Sequence, residues 1–153
     1  MGLIELSGNY SHNIDPKGRA TIPSAYREAF AESFTIGLNN DFKAIALYPA
    51  EKWAEKCERL NRIPDSDADG MAYVRFIKSF SFTGQQLDAQ GRVLLPQGLR
   101  QMVGMEKAIR FVGLGKYIEL LDENRFMAQY LEARDKVQEL MAYVNERYFS
   151  GGV

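Results

Sequence analysis

Residues 14–23 read IDPKGRATIP, and residues 87–96 read LDAQGRVLLP. Both stretches contain an aspartate followed by a glycine three positions later and an arginine four positions later, and both end in proline. The offset between them is 73 residues, and nine of the forty residues from 14 to 53 recur at that offset. Roughly two or three would be expected from ordinary residue usage. The sequence therefore predicts two tandem copies of one small module.

The first copy predicts a strand over residues 9–14, a tight turn and a return strand over residues 19–22. Asp15 can accept backbone N–H groups across the turn, Pro16 presets φ for its second position, and Gly18 can adopt a positive φ without a Cβ clash. Pro23 suits the first turn of a helix, which we expect over residues 24–30. The module therefore begins with a hairpin that leads into a helix.

Two short apolar runs, residues 34–38 and 44–48, follow this helix. Asn39, Asn40 and Asp41 lie between them and predict a second hairpin, because Asn and Asp tolerate left-handed conformations. A helix from Pro49 carries an apolar stripe suited to ordinary packing. The second copy predicts the same order, with a strand over 81–87, a turn over 88–91, a strand over 92–95, a helix from 96, and strands near 108–112 and 117–121.

These elements predict a first module with its following helix (1–63), a linker and helix (64–80), and a second module with a C-terminal helix (81–153). Residues 64–70 have the acidic, small-residue composition of a linker, and residues 71–80 predict a helix. The linker is short, so we expect the copies to pack as a pseudo-symmetric pair. Residues 123–149 predict one long helix whose apolar side packs between chains. Residues 150–153 are expected to be frayed.

The formal net charge is -1 and the pI is 5.9, which excludes a protein coated with positive charge. Residues 1–6 lack a signal-peptide pattern and no apolar run reaches the ~18 residues of a membrane span, so we expect a cytoplasmic protein. The single cysteine, Cys57, predicts a buried, inert thiol, and the single histidine, His12, predicts a packing or hydrogen-bonding role on a strand. We expect no metal, no cofactor and no small-molecule substrate.

Residues 10–19 read YSHNIDPKGR, and with Ile22-Pro23 and Arg27-Glu28 they resemble the amino-terminal signature of the MraZ family. Leu95-Pro96 and Leu99-Arg100 resemble its second half, and the resemblance covers residues 9–126. It implies an α+β fold of two tandem AbrB-like β modules, of swapped-hairpin or double-ψ type, with flanking helices and a long C-terminal helix. It also implies a ring-like homo-oligomer that binds short direct repeats in double-stranded DNA upstream of the division and cell-wall gene cluster, at the nucleoid.

The same resemblance places two sets of residues on the DNA-facing edge: Asp15, Lys17, Gly18 and Arg19, with Asp88, Gly91 and Arg92 as the second set. An arginine at a hairpin tip can donate two parallel hydrogen bonds to guanine or straddle a phosphate, and Lys17 adds a point charge. The second copy has Ala89 for Pro16 and Gln90 for Lys17. Equal participation of both turns therefore stays open.

Other interpretations of these residues remain at this stage. Each aspartate could brace its turn by fixing the arginine four residues later, and both roles can coexist because a held arginine loses less entropy on binding. We expect Arg27 and Arg100 to be solvated or to form interchain contacts. The sequence lacks the nucleophile, base and phosphate-loop patterns of an enzyme. An antitoxin-like interaction module without DNA binding remains the alternative, because the AbrB-like fold also serves there.

Overall fold

The computed structural model describes residues 5–149, and residues 1–4 and 150–153, including the end expected to be frayed, lie outside that range. The described strands are β1 (Asn9–Asn13), β2 (Arg19–Thr21), β3 (Phe34–Leu38), β4 (Ile45–Pro49), β5 (Phe82–Gln85), β6 (Arg92–Leu94), β7 (Ala108–Gly113) and β8 (Ile118–Asp122). The α-helices are α1 (Ala50–Leu60), α2 (Ala68–Ser79), α3 (Gln97–Met102), α4 (Glu123–Asp135) and α5 (Val137–Val144). A 3-10 helix covers Ser24–Phe30, and a π-helical turn covers Asn145–Phe149.

The two copies exchange their first strands. Six strands form one sheet in the order β1-β7-β8-β4-β3-β5, and every neighbouring pair in it is antiparallel. Strand β1 of the first copy pairs with β7 of the second, and β5 of the second copy pairs with β3 of the first. Each copy thus completes the sheet of the other, which confirms the predicted α+β fold in its swapped-hairpin form. The predicted pairing of residues 9–14 with residues 19–22 is wrong, because β1 pairs with β7 and β2 pairs with β6.

A local pseudo-two-fold axis relates the copies. Ala46 lies opposite Glu119 where β4 pairs with β8, and Ala20 lies opposite Val93 where β2 pairs with β6 in a separate two-stranded ribbon. Both pairs join residues 73 positions apart, which is the offset of the repeat. Residues equivalent in sequence therefore meet at the axis, and the two copies pack as the predicted pseudo-symmetric pair.

The core takes matching residues from both copies. Ile22, Tyr26 and Phe30 of the first copy are at most 1% exposed, and so are their equivalents Leu95, Leu99 and Val103. Full burial of each such aliphatic or aromatic side chain stabilises the fold by roughly 1.5–3 kcal/mol. These residues lie on the segment after each turn, at the spacing of a helical face. The core therefore holds each turn against the rest of the unit.

Strands β3 and β4 pair antiparallel and form the predicted hairpin, but the left-handed residue of its loop is not the one expected. The residue with a positive φ is Phe42, at 63°, and not one of the polar residues 39–41. The Oδ1 atom of Asn39 accepts hydrogen bonds from the backbone N–H groups of Lys43 and Ala44, both at 3.1 Å, and its Nδ2 donates to Glu119 at 2.7 Å. The Asn39 side chain therefore spans the loop and braces it. The backbone takes its left-handed conformation at Phe42.

Helix α2 begins three residues earlier than predicted, so part of the expected linker is helical. Its N-cap is Asp67, whose Oδ1 accepts a hydrogen bond from the backbone N–H of Gly70 at 3.0 Å. A carboxylate at this position satisfies one of the free N–H groups of the first turn and favours helix initiation there. The connection between the copies is therefore shorter than the sequence indicated.

The C-terminal helical segment is interrupted, where the sequence predicted one continuous helix. Lys136, with φ -115° and ψ 14°, separates α4 from α5. Its backbone N–H donates to the carbonyl of Ala133, a three-residue step in place of the four-residue step of an α-helix. The first compact unit ends at Asp122 and the second begins at Glu123. In the part of the chain from residue 5 to residue 149, no helix is long and apolar enough to cross a membrane.

The predictions for His12 and Cys57 had different outcomes. His12 accepts a hydrogen bond at Nε2 from the backbone N–H of Thr21 at 3.3 Å, which confirms the predicted hydrogen-bonding role. Cys57 is only half-buried, and the Nζ atom of Lys78 lies 3.4 Å from its Sγ atom. The prediction of a buried thiol is therefore wrong.

The exchange of strands predicts that neither copy folds alone as a monomer. Residues 1–80 lack β7, the partner of β1, and residues 81–153 lack β3, the partner of β5. We expect each fragment to be unfolded or self-associated and an equimolar mixture to recover the circular dichroism spectrum of the whole chain. Light scattering on the separate fragments checks this, and a folded monomer of either one would contradict it.

Candidate nucleic-acid interface

The first turn is held by the carboxylate of Asp15. Its Oδ1 atom accepts hydrogen bonds from the backbone N–H groups of Lys17 at 2.9 Å and Arg19 at 2.8 Å, and its Oδ2 atom accepts from the Nε of Arg19 at 2.7 Å. Gly18 has a φ of 84°, as the turn requires. One carboxylate thus fixes both the backbone of the turn and the direction of the arginine.

The second turn repeats this geometry. Asp88 accepts at Oδ1 from the backbone N–H groups of Gln90 at 2.9 Å and Arg92 at 2.8 Å, and at Oδ2 from the Nε of Arg92 at 2.8 Å. Gly91 has a φ of 76°. The Nη2 of Arg92 also donates to the Oε1 of Gln90 at 3.3 Å. The brace considered for these residues is therefore present in both turns.

The pKa of each turn aspartate lies below its ordinary value of 3.8. The largest cause of the lowered pKa of Asp15 is the hydrogen bond from the backbone N–H of Arg19. The backbone N–H of Arg92 is the largest cause at Asp88. A lowered folded pKa means that the brace stabilises the fold above pH 3.8 and that this contribution is lost as the pH falls through the folded pKa. Both braces are therefore intact at neutral pH.

The two arginines lie on one surface and not on two separate tips. Arg19 begins β2 and Arg92 begins β6, and the antiparallel pairing places Arg19 opposite Leu94 and Thr21 opposite Arg92. Because side chains alternate along a strand, these four residues share one face, and the buried Ala20 and Val93 share the other. Arg19 and Arg92 are diagonal neighbours on the paired strands, and the backbones of residues in such positions lie roughly 7–8 Å apart. The turns are thus joined into one ribbon, which we call the arginine ribbon (residues 19–21 and 92–94).

Arg27 and Arg100 lie over the turn of the opposite copy; Arg27 is exposed, as expected for a solvated side chain, and Arg100 is half-buried. A Cβ atom on Gly18 would lie 2.8 Å from the Nη2 of Arg100, and one on Gly91 would lie 2.7 Å from the Nε of Arg27. Each Nε donates to a backbone carbonyl, that of Ile22 for Arg27 at 2.9 Å and that of Leu95 for Arg100 at 3.0 Å. The recurrence of Arg27 as Arg100 at the 73-residue offset was the sequence feature that could have indicated their place over the turns.

All seven candidate residues therefore lie on the two turns, and the ribbon brings both sets together. Five cations, Lys17, Arg19, Arg27, Arg92 and Arg100, share this region with the two aspartates. The local balance is positive although the chain as a whole is not. Lys17 is exposed.

Among residues 5–149 no group of three histidine, cysteine, aspartate or glutamate side chains is placed to hold a metal ion.

Tandem swapped-hairpin modules with an aspartate-braced arginine in each turn define an AbrB-like protein. The family model described as "MraZ protein, putative antitoxin-like" matches residues 6–76 and 82–143. The protein named transcriptional regulator MraZ from Moorella thermoacetica is 37% identical over 135 residues, which cover 87% of this chain and 92% of that protein. Its namesake from Acetivibrio thermocellus is 37% identical over 124 residues, which cover 78% and 82%. The chain belongs to the MraZ family, a family of transcriptional regulators and thus not an enzyme class.

The crossed packing of Arg100 on Gly18 predicts a specific cost for Gly18→Ala. Alanine at a φ of 84° loses about 1–2 kcal/mol, and its Cβ displaces the Arg100 guanidinium. Gly98→Ala is the control, because Gly98 lies in α3 with open space where a methyl group would be added, and alanine favours a helix by about 0.5–1 kcal/mol. Urea unfolding of the two variants measures both effects. Equal stability of Gly18→Ala and the unsubstituted protein would contradict this packing.

Proposed function

We propose that this chain is a sequence-specific DNA-binding regulator that contacts double-stranded DNA through the arginine ribbon. The observation that carries the proposal is the pair of braced arginines on one outward face, supported from behind by buried side chains. The major groove of DNA admits a two-stranded β-ribbon. Arg19 and Arg92 are 31% and 29% exposed at their side chains, which leaves both available to a duplex.

The braces suit these arginines to recognition. In Arg19 the Nε donates to Asp15, and within residues 5–149 we find no hydrogen-bond partner for its two terminal nitrogens. A guanidinium held by one edge can present its other nitrogens to guanine O6 and N7 or to a phosphate. Because its direction is already fixed, it loses less side-chain entropy on binding. The brace therefore supports DNA binding and does not compete with it.

The two turns differ in how they would meet DNA. Lys17 adds an exposed cation to the first turn, whereas Gln90 in the second accepts a hydrogen bond from Arg92. We propose that all seven turn residues, Asp15, Lys17, Gly18, Arg19, Asp88, Gly91 and Arg92, belong to the interface. The first turn makes the stronger phosphate contact, since a free lysine is a point charge that neutralises a phosphate.

We further propose that several chains act together as a ring on direct repeats upstream of the division and cell-wall gene cluster, in the cytoplasm at the nucleoid. One ribbon would bind weakly, but linked ribbons raise the effective concentration of the next contact. The second compact unit has apolar side chains available for assembly, because Tyr130, Val137, Leu140 and Tyr148 are 44% to 70% exposed. This exposure supports interchain packing of α4 and α5.

Substitution of the ribbon arginines tests the DNA proposal. We expect Arg19→Ala and Arg92→Ala each to weaken specific binding by about 1–3 kcal/mol per lost base contact, with unchanged particle size. Gel shifts on the DNA upstream of the gene, at two salt concentrations, provide the measurement, and wild-type affinity should fall as salt rises. Arg62→Ala is the control, since Arg62 pairs at the surface with Glu58 at 3.4 Å, away from the ribbon.

Lys17→Ala and Gln90→Ala form a matched pair in the same experiment. Only Lys17→Ala should reduce the salt dependence, because only it removes a cation. If specific binding survives loss of both ribbon arginines, the interface lies elsewhere. An absence of any salt-dependent binding to this DNA would instead favour the antitoxin-like interaction module.

Assembly is a separate requirement of the proposal. Light scattering on the full chain should give a mass of several subunits, and substitution of Leu140 and Tyr148 by glutamate should lower that mass because it places charge on the exposed apolar side chains. A monomer in solution would contradict the multivalent mechanism even if a single ribbon binds DNA weakly.

A further inference from the structure

A cavity of about 400 Å³ lies in the first compact unit, away from the arginine ribbon. Helices α1 and α2 and the loop after β3 line it. Its volume falls within the roughly 300–1,000 Å³ of small-molecule sites. Three aromatic residues, Phe42, Trp53 and Tyr73, contribute to its walls, and Lys56 and Arg59 contribute two cations.

The charged side chains that line the cavity are all positive. Among the lining residues that the structure describes there is no carboxylate. The Nζ of Lys56 donates to the Oδ1 of Asn40 at 3.0 Å and lies 5.1 Å from the centre of the Tyr48 ring. For the Arg59 guanidinium we find no hydrogen bond or ion pair within residues 5–149. Both cations can therefore interact with an anion that enters the cavity.

The Lys56 ammonium is also partly dehydrated. Burial lowers its pKa below the ordinary value, and the positive charge of Lys52 lowers it further. A partly dehydrated cation attracts an anion more strongly than one in bulk water does, because the local dielectric is lower. An anion at Lys56 would offset the cost of its partial dehydration.

The aromatic wall is held by an unusual backbone conformation. Phe42 has a φ of 63°, a left-handed conformation that is a genuine outlier for a bulky side chain. Its ring packs edge-on against Phe76 of α2, with 5.4 Å between the ring centres. Outliers of this kind persist where the surroundings fix them, and they cluster at ligand sites. The conformation keeps Phe42 at the cavity where a loop reversal alone would favour asparagine or glycine.

The repeat provides an internal comparison. At the 73-residue offset, Gln129 corresponds to Lys56 and Glu132 corresponds to Arg59. The module fold therefore does not require a cation at either position. The positive charge of the cavity is a property of the first copy, added to a shared framework.

From these observations we propose that the cavity is a binding site for a small organic anion with a planar aromatic body, such as an aromatic carboxylate, sulfonate or phosphate. The anionic group lies between Lys56 and Arg59, and the aromatic body lies against Trp53 and Phe42. This site is distinct from the arginine ribbon and does not depend on the proposed DNA function.

Binding of anilinonaphthalenesulfonate, an aromatic sulfonate dye, tests the site. Trp53 is the chain's only tryptophan, so quenching of its emission reports on the cavity while dye emission reports on total binding. We expect saturable quenching in the full-length protein, weakened at least about tenfold by combined Lys56→Gln and Arg59→Gln, since a charge-assisted contact contributes more than one decade of affinity. Lys56→Arg keeps the charge and should retain binding.

Two controls separate this site from apolar surface elsewhere. Phenylnaphthylamine has the same rings without the sulfonate, and its binding should change less than about twofold in the double variant because it has no anion for the cations to hold. Arg62→Gln removes a cation outside the cavity and should leave dye affinity unchanged. Equal dye affinity of the double variant and the unsubstituted protein would overturn the proposal. A lack of saturable Trp53 quenching in the unsubstituted protein would overturn it as well.

Discussion

The structure depends on a reciprocal exchange between the two turns. The backbone N–H of Leu95 donates to the carbonyl of Gly18, and the backbone N–H of Ile22 donates to the carbonyl of Gly91, both at 2.9 Å. Each turn is therefore closed by the segment that follows the other turn. Within residues 5–149, β2 and β6 pair only with each other, so these two bonds help to hold the arginine ribbon. Turn geometry, ribbon and strand exchange thus form one cooperative unit.

Turn chemistry and repeat were predictable from the sequence because they depend on local rules. An aspartate that can accept N–H groups and a glycine that permits a positive φ specify the turn wherever they occur at this spacing. The exchange of β1 and β5 was not predictable in this way. A strand satisfies the same alternation whether its partner lies in its own copy or in the other, so only the long-range geometry decides between them.

Several contacts that the sequence did not indicate lie across the exchange. Arg27 and Arg100 are distant in sequence from the turn glycines that they cover, although the carbonyls that hold them lie only five residues earlier in their own copy. Phe42 was missed for a related reason. Local propensity assigns a positive φ to asparagine, but the Asn39 side chain is already engaged with two backbone N–H groups and with Glu119 of the other copy. Tertiary contacts therefore override local preference at these positions.

Differences between the copies carry more functional information than their identities. The positions that agree at the 73-residue offset include residues of the turns, of the core and of the arginine ribbon. Departures from the repeat are not required by the shared fold, and several of them place a positive charge on the first copy. Lys17 corresponds to Gln90 in the second copy, and Lys56 corresponds to Gln129. A duplicated framework can keep one axis and one core while one copy acquires the stronger phosphate contact and a basic cavity. The pseudo-symmetry stabilises the fold and duplicates the arginines of the proposed DNA interface, whereas Lys17 and the proposed anion site lie where the symmetry is broken.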